Sequence, residues 1–207
     1  MLPVLKGSAA FRRDARAFSL LEMLLTLVLV IVIFVILYGH GAGGQQLARK
    51  RKCQKNLQDI HVALQIFAND RDGLLPALNT AKTSEPVLAV LVPKYISTSA
   101  PFICPASKDN ALPEGESFAE RKISYAYYMG RRTTDSDEVS ISDAQVNTLP
   151  KAKGQVVFST TGKKPGDNHH KYGGNFLFID GHLEMSAAKA PFPLPLTNGV
   201  VLLNPKS

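Results

Sequence analysis

Residues 18–38 form an apolar run of 21 residues, and 16 of them are Leu, Ile, Val or Phe. A helix of that length spans about 30 Å at roughly 1.5 Å per residue, the thickness of the hydrocarbon layer of a bilayer. The run therefore predicts a membrane-crossing helix. One residue in it needs explaining. Glu22 puts a carboxylate in a segment where a charge costs about 2.5–3.5 kcal/mol at the centre. The aliphatic neighbours offset this at roughly 0.3–0.6 kcal/mol each, so the helix inserts with its acid.

Residues 1–17 carry Lys6, Arg12, Arg13 and Arg16 against Asp14, and the apolar run follows at once. Three readings compete. A secretory signal peptide has an apolar region of about 7–15 residues with a small-residue cleavage site after it, and this run is longer and carries Glu22 near its start. A plain signal anchor is the second. The third is a leader cut before the apolar run, so that the helix is kept. The basic leader sets the orientation expected for the anchor, with the N-terminus in the cytoplasm and the rest outside it.

After the span, residues 39–44 hold four glycines in six, a composition that loosens a helix. They are expected to form a joint, with His40 solvated. Residues 45–72 read as a second, amphipathic helix, in which Cys53, Leu57, Ile60, Leu64 and Phe67 make one apolar stripe at spacings of four and three. On that stripe Cys53 reads as a small buried residue. The basic run Arg49, Lys50, Arg51 and Lys52, with Lys55, reads as a solvated helix face, or as one that meets acidic groups of neighbouring subunits or lipid headgroups.

Residues 73–207 are expected to form an α+β domain. Residues 85–92 predict a short helix, residues 101–105 an extended segment set by prolines, residues 123–129 a strand, and residues 131–139 a polar loop. Residues 155–160 predict a further strand. Residues 175–179 and 182–185, separated by Asp180-Gly181, predict a hairpin with a type I′ turn, which needs positive φ at both central positions. Phe176 and Phe178 face one side of that strand and Leu177 and Ile179 the other, so both faces should be covered.

The residues around Glu22 carry a resemblance. Ala17-Phe18-Ser19-Leu20-Leu21-Glu22, with Glu22 fifth counted from Phe18 and a long apolar stretch behind it, resembles the cleavage and methylation motif of type IV pilins and type II secretion pseudopilins. The family has Gly before the cut, and here Ala17, the next smallest residue, stands there. Further along, Cys53, Asn56, Leu57 and Ile60, the turn Asp72-Gly73 to Pro76, Cys104-Pro105, Ser124-Tyr125, and His170 nine residues before Asp180-Gly181 look like pilin-like proteins with a C-terminal H-x9-DG hairpin. That family often has an acid closing the strand before the His; here Ser159 and Thr160 stand there.

The resemblance implies a pilin-like α+β fold, a long N-terminal helix (membrane half plus amphipathic half) packed on a small antiparallel sheet domain. It also implies cleavage between Ala17 and Phe18 by prepilin peptidase, N-methylation of Phe18, and assembly through Glu22. The protein would then be a structural subunit of a type IV pilus-like or type II secretion filament. Its partners would be prepilin peptidase, other pilin-like subunits in a homo- or hetero-oligomer, and the inner membrane, which it would cross once with a periplasmic C-terminal domain. The alternative is a membrane-anchored periplasmic module that binds a ligand through the hairpin of residues 167–182.

The sequence offers little chemistry beyond this. No nucleophile motif or phosphate-binding glycine loop is present, so an enzyme is not expected, nor is a cofactor. His169, His170, Asp180 and His182, with Asp167 nearby, are the residues that a metal would use, but turn geometry explains them as well, and no metal is expected. An oxidising compartment would allow Cys53 and Cys104 to form a disulfide, and the sequence leaves open whether they pair. The net charge of +7 lies partly in the leader, and the remainder is too weakly basic to call for a nucleic-acid partner.

Overall fold

The computed structural model of the chain describes residues 19–38, 42–113, 117–196 and 199–207. The expectations for the basic leader, Ala17, Phe18 and residues 39–41, His40 among them, lie outside the described residues. The chain divides into two compact units, Met1–Gly41 and Ala42–Ser207.

In the first unit, α1 runs over Leu20–Tyr38. It starts at Ser19, whose carbonyl accepts from the Glu22 and Met23 amides at 2.9 and 3.1 Å. The Ser19 hydroxyl takes the Leu21 amide at 3.3 Å, so donors that a helix start leaves unpaired find partners. Glu22 lies in the first turn, where the helix dipole favours an anion. Thr26 returns its hydroxyl to the Met23 carbonyl at 2.9 Å, and that polar group is therefore satisfied within the helix. From Leu20 to Leu37 the helix is long and apolar enough to cross a bilayer.

In the second unit, α2 covers Ala42–Asn69. Gly43 and Gly44 are thus helical rather than part of a joint. The helix ends where Gly73 gives its amide to the Ala68 carbonyl at 2.9 Å. A short helix α3, Ser84–Leu88, follows and tightens into a 3-10 turn at Ala89–Leu91. Five strands then form one antiparallel sheet: β1 Tyr125–Met129, β2 Val139–Asp143, β3 Gly174–Phe178, β4 Leu183–Ser186 and β5 Val201–Leu203, in the order β4-β3-β2-β1-β5.

The sheet is covered on both faces. Cys53, Leu57, Ile60, Leu64 and Phe67 of α2 are buried against Tyr125, Tyr127, Ile141, Leu177 and Ile179. The opposite face, with Ala126, Tyr128, Phe176, Phe178 and Leu202, is covered by Val157, Phe158, Ala190 and Leu194 from loops. An irregularity between Val139 and Ile141 shifts the β2–β3 register, which sends these two residues to opposite faces despite their spacing.

Several expectations are corrected. Residues 155–160 are not a strand. Val157 and Phe158 are buried, but their amides go to the Ala188 carbonyl at 2.9 and 3.1 Å rather than into a ladder. Residues 131–139 give way to β2 at Val139, a strand that the sequence reading did not contain. Ala100–Phe102 is a 3-10 turn rather than extended, because Pro101 stands at a helix start, where its fixed φ fits. The hairpin turn is not type I′. Gly181 has φ +92° and Asp180 does not have positive φ. The Gly181 amide returns to the Phe178 carbonyl at 3.1 Å and the Phe178 amide to the His182 carbonyl at 3.0 Å. This is the pattern of a three-residue loop ending in a glycine bulge.

Candidate functional site

At one end of the sheet, under the start of the α2 stripe, polar groups from five segments meet in the interior. β2 ends on Asp143, which is paired with Tyr125 of β1, and β3 brings Asn175 alongside. The loop before β3 supplies Asn168 and His169. The α2 helix supplies Cys53, and the loop after the 3-10 turn at Ala100–Phe102 supplies Cys104. Asp143 and His169 are fully buried.

Asp143 is the hub. Its Oδ1 accepts from the Asn168 amide nitrogen at 2.9 Å. Its Oδ2 accepts from the Asn175 backbone amide at 2.7 Å and the Asn175 side chain at 3.0 Å. His169 Nε2 lies 3.2 Å from the same oxygen. Burial pushes the Asp143 carboxyl up, but the His169 ring and the amide donors outweigh burial and hold it below the usual carboxylate range. Tyr125, buried beside this carboxylate, is pushed well above the usual phenol range, by burial first and by Asp143 second.

Cys53 and Cys104 are joined by a disulfide, with Cα atoms 5.3 Å apart, inside the normal span for such a bond. Cys104 Sγ is also 3.5 Å from His169 Nε2. Asn56, one turn beyond Cys53 on α2, donates to the Ile103 carbonyl at 2.8 Å and so fixes the loop that presents Cys104. Pro105, the next residue, is exposed. The Cys53-x-x-Asn56 spacing therefore serves one loop through two side chains of one helix face.

Lys50 corrects the solvated-face expectation. Its neighbours Arg51 and Lys52 are exposed, but Lys50 is buried, and its ammonium donates to the Tyr172 carbonyl at 3.1 Å and the Ser186 carbonyl at 2.9 Å. Burial pulls its pKa below the usual lysine range, and the Asp143 charge acts in the opposite sense.

The expected histidine and aspartate cluster does not assemble as one site. His169 turns inward to Asp143. His170 is exposed, with φ +57°, and its ring lies over Gly162 and 6.1 Å from that of Tyr172. Asp180 and His182 pair with each other at 2.7 Å at the exposed hairpin turn. Asp180 Oδ1 also accepts the His182 amide at 3.0 Å, so the turn itself accounts for the pair. Gly181 packs under His61 of α2. Among the described residues, the side chains of metal-ligating type that come together are instead Cys53, Cys104, Asp143 and His169, whose ligand atoms all lie within 4.8 Å of one another, with the two sulfurs joined in the disulfide.

A cleft of about 250 Å³ opens beside the buried group, with Asn168 in its lining. Lys108, Lys122, Lys164 and Lys206 also line it, with Asp109 and Asp167. Lys122 pairs with Asp109 at 3.3 Å, and Asp109 takes the Ser124 hydroxyl at 2.7 Å. The neighbouring Lys122 amine holds Lys164 below the usual lysine range.

Sequence reasoning missed Asp143, Asn168, Asn175 and Lys50. The signal within reach was Asn168 beside His169 and Asn175 near the start of β3; the acid that they serve closes β2, which lies almost wholly beyond the loop expected over residues 131–139. Comparison with family models, with curated proteins and with solved structures gives no match to this chain.

Proposed function

We propose that the protein is a structural subunit, a pilin or pseudopilin, of a type IV pilus-like or type II secretion filament. The observation that carries the reading is Glu22, the fifth residue from Phe18, in the first turn of a 19-residue helix whose other residues are apolar save Thr26 and the terminal Tyr38. Cleavage after Ala17 frees the α-amine of Phe18, which is then methylated. In a filament the buried Glu22 carboxylate needs a cationic partner, because an unpaired charge in an apolar core is strongly unfavourable. The Phe18 amine of a neighbouring subunit supplies it and sets the stagger between helices. Before assembly α1 holds the chain in the inner membrane, with residues 42–207 on the periplasmic side.

A fold in which a helix packs on a small antiparallel sheet supports the reading, since a filament subunit needs a compact head behind its core helix. The test is Glu22→Ala. The variant should fractionate with membranes as the wild type does and form no filaments, and unchanged filaments would overturn the reading. Mass measurement of the mature chain tests processing separately: a chain beginning at Phe18 with one added methyl group is expected, and one beginning at Met1 refutes cleavage.

A second reading, a membrane-anchored binding module, is favoured by the lysine-lined cleft beside the 167–182 segment. It requires that activity survive Glu22→Leu, whereas the filament reading requires that it be lost.

A further inference from the structure

We propose that reduction of the Cys53–Cys104 disulfide turns the buried cluster into a closed zinc site, with the two sulfurs, an Asp143 carboxylate oxygen and His169 Nε2 as its four ligands. The donor set is the first argument. Two thiolates, one imidazole and one carboxylate are ligands that Zn²⁺ takes in tetrahedral sites. Geometry is the second. With bond lengths of about 2.0–2.1 Å to nitrogen and oxygen and about 2.3 Å to sulfur, the edges of a zinc tetrahedron are about 3.3 Å for N to O and about 3.6 Å for N to S. His169 Nε2 stands 3.2 Å from Asp143 Oδ2 and 3.5 Å from Cys104 Sγ. Those two edges are already in place, the four ligand atoms all lie within 4.8 Å of one another, and the sulfurs must separate to about 3.8 Å.

The surroundings fit a structural metal. All four residues are buried, which leaves no open coordination position for substrate. Asn168 and Asn175 orient the Asp143 carboxylate through hydrogen bonds, the support that ligating carboxylates receive in such sites. Two thiolates, one carboxylate and Zn²⁺ leave one net negative charge, and the buried Lys50 ammonium stands within the field of Asp143. Disulfide and zinc are alternatives at one place: the oxidised chain closes the cluster covalently, and the reduced chain closes it with metal.

The chemistry balances with a phosphine as reductant. The phosphine gives two electrons to the sulfur–sulfur bond and becomes a phosphine oxide. Water supplies the oxide oxygen and the two protons taken up by the thiols. Zn²⁺ then displaces those protons, and no oxidation state changes on binding.

The test uses the full chain in detergent micelles without oxygen, with and without phosphine, exposed to Zn²⁺ and then desalted. Elemental analysis should find about one zinc per reduced chain and almost none on the oxidised chain. Co²⁺ in place of Zn²⁺ should give a thiolate-to-metal charge-transfer band and the strong visible bands of a tetrahedral site. Losing a partner outside the ligand shell already costs about 10–100-fold in metal affinity, so His169→Ala, which removes a ligand, should cost at least as much, and the exposed His170→Ala should cost nothing. A reduced wild-type chain with no more zinc than the oxidised one overturns the proposal, as does cobalt bound without the thiolate band. Equal loss in the two histidine variants overturns it too. The zinc count and the cobalt spectrum use the wild-type chain, so a variant that fails to fold does not spoil them.

Discussion

Asp143 accepts hydrogen bonds from Asn168 and Asn175 and faces His169, and Asp143, His169 and Asn175 are fully buried. Removing one charge from such a buried arrangement leaves the other groups uncompensated, at a cost of about 3–5 kcal/mol. Asp143→Asn keeps the shape and loses the charge, so the oxidised variant should lie near the lower end of that range, about 3 kcal/mol, in urea unfolding. The pH dependence follows from the direction of the shift. The folded carboxyl is held below its unfolded value, so its contribution is complete above about pH 4, the unfolded carboxyl value, and is lost as the pH falls through the lower folded value. The gap between wild type and Asp143→Asn should therefore close as the pH falls below about 4. A gap that persists undiminished at pH 2 would show that the carboxylate charge is not its source. Lys50 gives a second residue-scale case. Lys50→Met leaves the Tyr172 and Ser186 carbonyls without their donor and should cost about 1–3 kcal/mol. Lys52→Met, on the exposed side of the same turn, should stay within about 0.5 kcal/mol in the same urea unfolding experiments.

The hairpin β3–β4 shows what local sequence can and cannot specify at the level of an element. Two β-prone runs about Asp180-Gly181 located it, and the alternation of Phe176 and Phe178 with Leu177 and Ile179 assigned its faces, because strand periodicity is a local property. The turn type was not legible, since Asp-Gly suits both a type I′ turn and a glycine bulge. β2 was missed, although Val139 and Ile141 alternate with Ser140 and Ser142 as in a strand with one polar face. The whole strand is buried instead, because Ser140 returns its hydroxyl to the Leu177 carbonyl and Ser142 to that of Asp143. Those partners lie across the sheet or in the backbone, where no pattern along the chain reveals them, and so the hub of the buried site was hidden with its strand. Conversely, residues 155–160 have strand composition because Phe158 and Val157 cover the outer face, a demand for burial rather than for a ladder. The two glycines at the ends of β3 separate backbone need from packing need. At Gly181, φ is +92° and a Cβ would lie 2.6 Å from His61 Nε2, at the end of a side chain that can move, so Gly181→Ala should cost about 1–2 kcal/mol. At Gly173, φ is +84° and a Cβ would press on the Ser186 carbonyl and the Ala187 backbone, which cannot move without parting β4 from β3. Gly173→Ala should therefore be the more damaging of the two, by more than about 1 kcal/mol in paired urea titrations.

For the whole molecule, the disulfide decides how much of residues 42–207 holds together as one unit. It closes a loop of 51 residues between α2 and the segment leading to β1. Within that loop lie α3 and both 3-10 turns, whose Val87, Leu88, Leu91 and Phe102 pack in the same core as α2. Chain-entropy reasoning gives such a closure about 4 kcal/mol of stability, through the freedom that it denies the unfolded chain. Reduction in the presence of a chelator, which keeps metal from taking the place of the bond, should therefore lower stability by about that amount. For a unit of this size that is roughly 8–16 °C in melting temperature. Cys53→Ser with Cys104→Ser should fall in the same range with or without reductant, since entropy rather than any contact of the sulfurs supplies most of the effect. Membrane fractionation of the reduced chain should not change, because α1 lies wholly in the other unit and contains no cysteine. If the melting temperature is the same in the oxidised and chelator-treated reduced states, the bond does not restrict the unfolded chain to the extent that loop closure requires, and the entropic account of its stabilisation fails.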